Sequence, residues 1–189
     1  MKMNLRIAAI SAALTLGGTA AVAQNIPVPE TAHPAPIITA RAFVHRAAVS
    51  DLFEVQSARL AQQKSSNEAV KAFAARMVKD HTDSTTALMD AVQKARLAAP
   101  ESLPTVLDSP HQQQIAQLRG LSGQAFDRRY MAMQIKAHQA ALTLLETYGS
   151  NGHNGPLQRF AKDTIPMVSD HLQMAEKIVN GGYRKVSGL

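Results

Sequence analysis

The sequence predicts an all-α fold, a four-helix bundle made of two antiparallel helical hairpins joined by a long crossover connection. Three observations carry that prediction. Every long segment between residues 39 and 180 repeats its apolar side chains with a helical period, and none alternates like a strand. Breaker-rich turns divide the region into two pairs of helices. One long, proline-broken connection, residues 96–109, separates the pairs.

Ahead of the helices, the chain opens Met1-Lys2-Met3-Asn4-Leu5-Arg6, runs apolar from Ile7 to Leu16, and reaches Ala21-Val22-Ala23 before Gln24. A basic start, a short apolar core and a small-residue ending predict a secretory signal peptide over residues 1–23. The apolar stretch is shorter than the about 20 residues that span a bilayer. No later run supplies such a stretch, so the mature chain is expected to be exported without a transmembrane segment. Residues 24–38 contain Pro27, Pro29, Pro34 and Pro36 and read as an extended Pro-rich linker. The bundle domain is expected over residues 39–180, and Gly181-Gly182 with Gly188 marks residues 181–189 as a flexible tail.

The first helix is expected from Thr39 to Lys64, with Phe43, Ala47, Ala58 and Ala61 on one stripe. The second starts near Ser65-Ser66-Asn67-Glu68, where Ser65 and Glu68 have capping-box spacing. It turns Val70, Phe73, Ala74, Met77, Leu88 and Val92 to one face and ends before Pro100. Within the crossover, Ser109-Pro110 opens a short helix to about Arg119. The third long helix runs from about Gln124 to Tyr148. After the turn Ser150-Asn151-Gly152-His153-Asn154-Gly155-Pro156, the fourth runs from Pro156 to about Val179, with Pro166 expected to bend it. Two helices, a long connection and two more helices is the ferritin-like arrangement. A weak internal echo agrees with a duplicated hairpin: Phe73-Ala74 precedes Met77-Val78-Lys79-Asp80-His81, and Phe160-Ala161 precedes Met167-Val168-Ser169-Asp170-His171.

Composition excludes several chemistries. The chain has no cysteine, so disulfides, thiolate metal sites and cysteine nucleophiles are absent. The formal charge is +6, and it falls to +4 without the leader, which carries Lys2 and Arg6 and no acid. The remaining cations are scattered among acids with few aromatics, so no nucleic-acid interface is expected. There is no Gly-rich phosphate loop, no H-E-x-x-H and no G-x-S-x-G elbow, and no catalytic set can be assigned.

Helical phase does place polar side chains among the inward apolar ones. Glu54 falls in register with Phe43, Ala47, Ala58 and Ala61; His81 with Val70, Met77 and Leu88; His171 beside Phe160, Thr164 and Ile178; Asp127, Gln134 and His138 share one face of the third long helix. Glu54 and His81 lie at comparable distances from their shared turn, as do Gln134 and His171 from theirs, each pair within about one helical turn, which predicts a buried polar cluster near the midplane. Imidazoles with a carboxylate suit one transition-metal ion, zinc, iron or copper. Glu54, His81, His138 and His171 are the candidate ligands, with Gln134 beside them. The alternative is a metal-free network in which the same residues bond one another and fix the helix pairing. Asp80 and Asp170 lie about 100° round their helices from the inward histidines, placing them as flank residues or as partners of an imidazole. His33, His45, His111 and His153 take no role.

The residues also resemble a known family. Phe43-Val44-x-x-Ala47-Ala48-x-x-Asp51-Leu52-Phe53-Glu54, Val70-Lys71-x-Phe73-Ala74-x-x-Met77-Val78-x-Asp80-His81, Phe126-Asp127-x-x-Tyr130 with Gln134-x-x-x-His138-x-x-Ala141-Leu142, and Pro166 with His171-Leu172 are similar to the bacterial domain-of-unknown-function family 4142 over about residues 39–178. The resemblance implies a ferritin-like fold and export, to the periplasm or to association with the outer membrane, whose name members often carry. It implies no reaction, partner or oligomeric state. Di-iron bundles place Glu-x-x-His motifs on two helices, whereas this chain has Val78-x-x-His81 and Val168-x-x-His171. Di-iron oxidase and iron-storage chemistry are therefore not expected. Two functions follow: an exported helical protein of unknown activity binding one metal ion, or a non-enzymatic structural or interaction module of the cell envelope.

Overall fold

Thr39 opens the first helix. Its hydroxyl accepts the Ala42 N–H at 3.2 Å, satisfying one of the donors that a helix start leaves without an intrahelical partner, and α1 runs Ala40–Lys64. The structure, a computed structural model, describes residues 38–97 and 103–183. The predicted leader 1–23, nearly all of the linker and residues 184–189 lie outside the described residues.

The second start differs from the capping box expected on Ser65 and Glu68. Asn67 is the cap: its side-chain oxygen accepts the N–H groups of Ala69 at 3.0 Å and Val70 at 3.2 Å, and α2 runs Glu68–Ala95. Ser65 closes α1 instead, and its hydroxyl accepts the Asn67 N–H. Asn67 keeps an extended backbone, so no helical turn connects Ser65 to Glu68 and the reciprocal bond between them cannot form.

Asp108 caps α3 (Ser109–Arg119), with Pro110 in the first turn where its missing N–H costs nothing. The fourth helix, α4, runs Gly123–Asn151 and starts one residue earlier than expected; Gly123 enters it at a φ of +54°, which suits glycine. Asn154 caps α5 (Gly155–Asn180), which continues through Pro166 as one helix. Residues 181–183 close α5: Tyr183 N–H bonds the Ile178 carbonyl at 2.9 Å, and Asn67 Nδ2 donates to the Tyr183 carbonyl at 2.7 Å.

The described residues are all helix and connections, with no strand among them. α1 packs on α2 and α4 on α5 as two hairpins, and the hairpins meet through α2 on α5 and α1 on α4. Two apolar clusters fix the directions. One joins the end of α1 (Ala58, Ala61), the start of α2 (Val70, Phe73), the start of α4 (Phe126, Tyr130) and the end of α5 (Ala175, Ile178). The other joins the start of α1 (Phe43, Val44), the end of α2 (Leu88, Ala91), the end of α4 (Leu145, Tyr148) and the start of α5 (Leu157, Phe160). The helices of each hairpin are thus antiparallel, while α2 and α4 point the same way. The connection between them must travel from one end of the bundle to the other. Its side chains record the passage: Leu97 and Leu103 pack on the second cluster, and Leu107, Ile115 and Leu118 belong to the first. Among the described residues no helix is long and apolar enough to cross a membrane.

Candidate metal centre

Each long helix of the bundle interrupts its apolar ladder at a comparable depth. On α2, His81 and Ser84 are buried between Met77 and Leu88. On α5, His171 lies between Val168 and Met174. Gln134 and His138 lie between Met133 and Leu145 on α4, and Asp51, Glu54 and Ser57 are buried on α1. Glu54, His81, Gln134, His138 and His171 are each no more than 2% exposed. A polar layer therefore separates the two apolar clusters at mid-bundle, where an unpaired polar atom is costly.

The three imidazoles form a nearly equilateral triangle. Ring centroids are 5.6 Å apart for His81 and His138, 5.4 Å for His81 and His171, and 5.4 Å for His138 and His171. One nitrogen from each ring lies within 4.8 Å of the others.

The opposite nitrogens are all taken. His81 Nδ1 donates to Asp51 Oδ1 at 2.8 Å, His138 Nδ1 to the backbone carbonyl of Gln134 at 2.8 Å, and His171 Nε2 to Asp80 Oδ2 at 2.9 Å. Each acceptor is an oxygen that carries no proton of its own, so the partner assigns the N–H to the outer side of each ring. The inner nitrogens, His81 Nε2, His138 Nε2 and His171 Nδ1, are buried without a hydrogen-bond partner. Further contacts hold the acceptors. Thr85 Oγ1 reaches Asp51 Oδ2 at 3.3 Å while also bonding the His81 carbonyl, and Arg76 Nε donates to Asp80 Oδ2 at 3.1 Å.

Electrostatics separate the rings. Burial, reinforced by the nearby His81, lowers His138 to about 3 despite the Gln134 carbonyl. Burial likewise lowers His171 to about 4, with Asp80 opposing and His81 assisting. His81 goes the other way: burial lowers it, but the Asp51 bond and charge, with Glu54 and Asp80, outweigh burial and raise it. Two rings are therefore neutral bases at ordinary pH, and one is held by carboxylates in readiness to carry charge. Asp80 feels burial upward but is lowered on balance by His171 and Arg76.

Glu54 stands beside this triangle. Its Oε1 is 3.8 Å from Nδ1 of the neutral His138 ring, too far for a hydrogen bond. Neither carboxylate oxygen has a hydrogen-bond partner. Burial pushes the carboxyl up to about 7, against the lowering influence of His81 and the Gln134 side chain.

Of the residues expected from the sequence, the structure brings His81, His138 and His171 together and places Glu54 next to them. Gln134 contributes differently: its backbone carbonyl orients His138, while its side-chain amide donates to Ser57 Oγ at 3.1 Å. Asp127 is buried on the same helix but in the apolar half. Asp80 takes both roles weighed for it, pairing with Arg76 and binding an imidazole, yet the imidazole is His171 on α5 and not its sequence neighbour His81. Asp170 is exposed. Helical phase gives Asp51 no role, although its three-residue spacing from Glu54 puts both on one face. Val78 and Val168 occupy the positions where di-iron bundles carry glutamate. The carboxylates here instead serve the outer nitrogens of the rings.

The family described as Domain of unknown function (DUF4142) matches residues 26–178 of the chain. The chain belongs to this family. Among solved structures, this DUF4142 domain is similar to a Streptomyces coelicolor protein named for DUF305 and described as secreted. The TM-score is 0.59 at 14% identity, covering 78% of this chain and 97% of that one. At that identity the likeness concerns the fold. No curated protein matches.

Proposed function

We propose that this DUF4142 protein is an exported, metal-binding helical bundle whose polar midplane holds one transition-metal ion on His81 Nε2, His138 Nε2 and His171 Nδ1. The observation that supports the reading is the set of three buried ring nitrogens without partners, facing one another while the second nitrogen of each ring is tied to an oxygen. Three lone pairs cannot bond one another; a proton on His81 or a metal ion can join them, and imidazole nitrogen suits zinc, copper or iron. Glu54, with both oxygens unpartnered, lies outside the group of three histidines and would have to swing inward to complete a tetrahedral set of three nitrogens and one oxygen. Bonds of about 2.0–2.1 Å would draw the nitrogens to about 3.4 Å from one another, a small inward turn of each ring. Asp51 and Asp80 are the oxygen partners that raise ligand basicity in metal–histidine centres.

Export rests on the signal-peptide pattern of residues 1–23, and the secreted description of the DUF305 neighbour agrees with it. The periplasm is the compartment this reading implies. No reaction is assigned to the centre.

Metal analysis of the full chain, purified without an affinity tag and loaded with zinc, tests the centre. About one equivalent per chain is expected, lost in His81→Ala and in His171→Ala. Substoichiometric metal that survives both substitutions would reject it.

One observation favours the metal-free alternative, an envelope interaction module. The Asp51–His81 bond joins α1 to α2 and the Asp80–His171 bond joins α2 to α5, so the layer specifies helix pairing with or without an ion. That reading expects thermal stability indifferent to chelator and to added zinc; a zinc-dependent rise in Tm counts against it.

A further inference from the structure

Two cavities approach the centre from the same side. A groove of about 670 Å³ lies between α2 and α5. Behind it is a small cavity of about 20 Å³ against His81 and Asp51, room for about one water. Ser84, Phe160 and Thr164 line both, so a single layer of side chains divides the groove from the space beside His81.

Ser84 is the unusual member of that layer. Its hydroxyl is buried and has no hydrogen-bond partner, and the residue is 7% exposed. The other hydroxyls on this stretch of α2 bond the carbonyl four residues back: Thr82 to Val78 at 2.6 Å, Thr85 to His81 at 2.9 Å and Thr86 to Thr82 at 3.2 Å. Thr164 does the same on α5, to Phe160 at 2.7 Å. Ser84 alone among these keeps its oxygen uncommitted between groove and centre. The groove in front of it presents Asp80, Asp83, Asp90 and Asp163 against Lys94 and Arg159. Lys79 pairs with Asp83 at 2.8 Å and Arg76 with Asp80 at 3.1 Å, which leaves Asp90 and Asp163 balanced by Lys94 and Arg159, so that neutralising the two carboxylates turns the groove positive. Asp80 spans both environments, lining the groove and holding His171 Nε2. An unpaired hydroxyl oxygen is a ligand a dehydrating cation can use.

We infer that divalent cations enter and leave the centre through the groove between α2 and α5, with the Ser84 hydroxyl as their last oxygen contact before His81. The inference rests on the metal centre proposed above and adds its doorway. A doorway acts on rates and not on affinity: by microscopic reversibility, a residue touched only in passage slows entry and release by the same factor, whereas a ligand changes Kd.

The test is stopped-flow binding of Co²⁺ to the full chain, followed by the visible absorbance of the nitrogen-bound ion, with release measured by chelator chase. Ser84→Val, which removes the oxygen and fills the passage, is expected to slow both phases about tenfold, with Kd unchanged within about twofold. Asp90→Asn with Asp163→Asn, both exposed and remote from the ligands, is expected to slow association about threefold at low ionic strength and not at about 0.5 M salt. Glu146→Gln on the exposed face of α4 is the charge control and is expected to bind at the wild-type rate. Wild-type rates in both groove variants would overturn the doorway while leaving the centre standing. A wild-type chain that takes up no Co²⁺ would overturn the centre and the doorway together.

Discussion

At each of the three imidazoles, the direction of the lone pair is decided by what the opposite nitrogen touches. Asp51 decides it for His81 and Asp80 for His171, and the Gln134 carbonyl decides it for His138. Asp51→Asn keeps an oxygen near Nδ1 but removes the charge that favours a strongly basic ring. It is expected to weaken metal binding about 10–100-fold with the helical signal unchanged, a difference that titration calorimetry reads directly; unchanged affinity would remove Asp51 from the centre. Helical phase alone places Glu54, His81, His138 and His171 among buried neighbours, because each falls in line with apolar residues on its own helix. It offers Asp80 an imidazole without saying which. That carboxylate meets His171 across a gap of 91 sequence positions, and the contact exists only once α2 and α5 are side by side.

Among the elements, the turns and caps carry constraints that side-chain periodicity does not express. Gly152 follows α4 at a normal φ, yet a Cβ there would stand 2.6 Å from the Tyr148 carbonyl oxygen and 2.7–2.8 Å from the Tyr148 ring. The ring cannot yield, being buried and stacked on Phe43 with centroids 4.0 Å apart. Gly152→Ala is therefore expected to destabilise by about 1–3 kcal/mol, as overpacking does, seen as a lower denaturation midpoint in urea at unchanged m-value. Its role in the turn was legible from the run of breakers, but the clash was not, since it depends on where Tyr148 points. Asp108 caps α3 through the His111 N–H at 3.0 Å. Burial pushes its carboxyl upward, but the bonds from the His111 backbone and imidazole outweigh burial and lower it from 3.8. A carboxyl lowered by folding contributes stability above its unfolded value that is lost as pH falls through the folded one. Between about pH 6 and pH 3 the wild type should thus lose more Tm than Asp108→Asn, which caps without titrating; parallel losses would contradict this. The start of α2 shows the converse limit. Ser65 and Glu68 had the right spacing for a capping box, but Asn67 satisfied two amides by itself and left Ser65 to close α1.

Over the whole molecule, the polar layer is the one place where all four long helices depart from apolar packing together. Two hairpins and a crossover were readable from the turns and from the long connection, because loop length and breakers report topology directly. Which helices touch was not readable, and the candidate centre depends on it: α2 must lie beside α5 for Asp80 to reach His171, and α4 must face both for His138 to complete the triangle. An ion bound there would tie α2, α4 and α5 at mid-bundle and stabilise the fold in proportion to its concentration, by about 2.7 kcal/mol at a hundred times Kd. The measurement that tests this account most directly is X-ray absorption at the metal edge of the zinc-loaded full chain. The account predicts about three imidazole nitrogens near 2.0–2.1 Å with one oxygen, and fewer imidazoles in His138→Ala. A spectrum of oxygen ligands without imidazole, unchanged by that substitution, would contradict it.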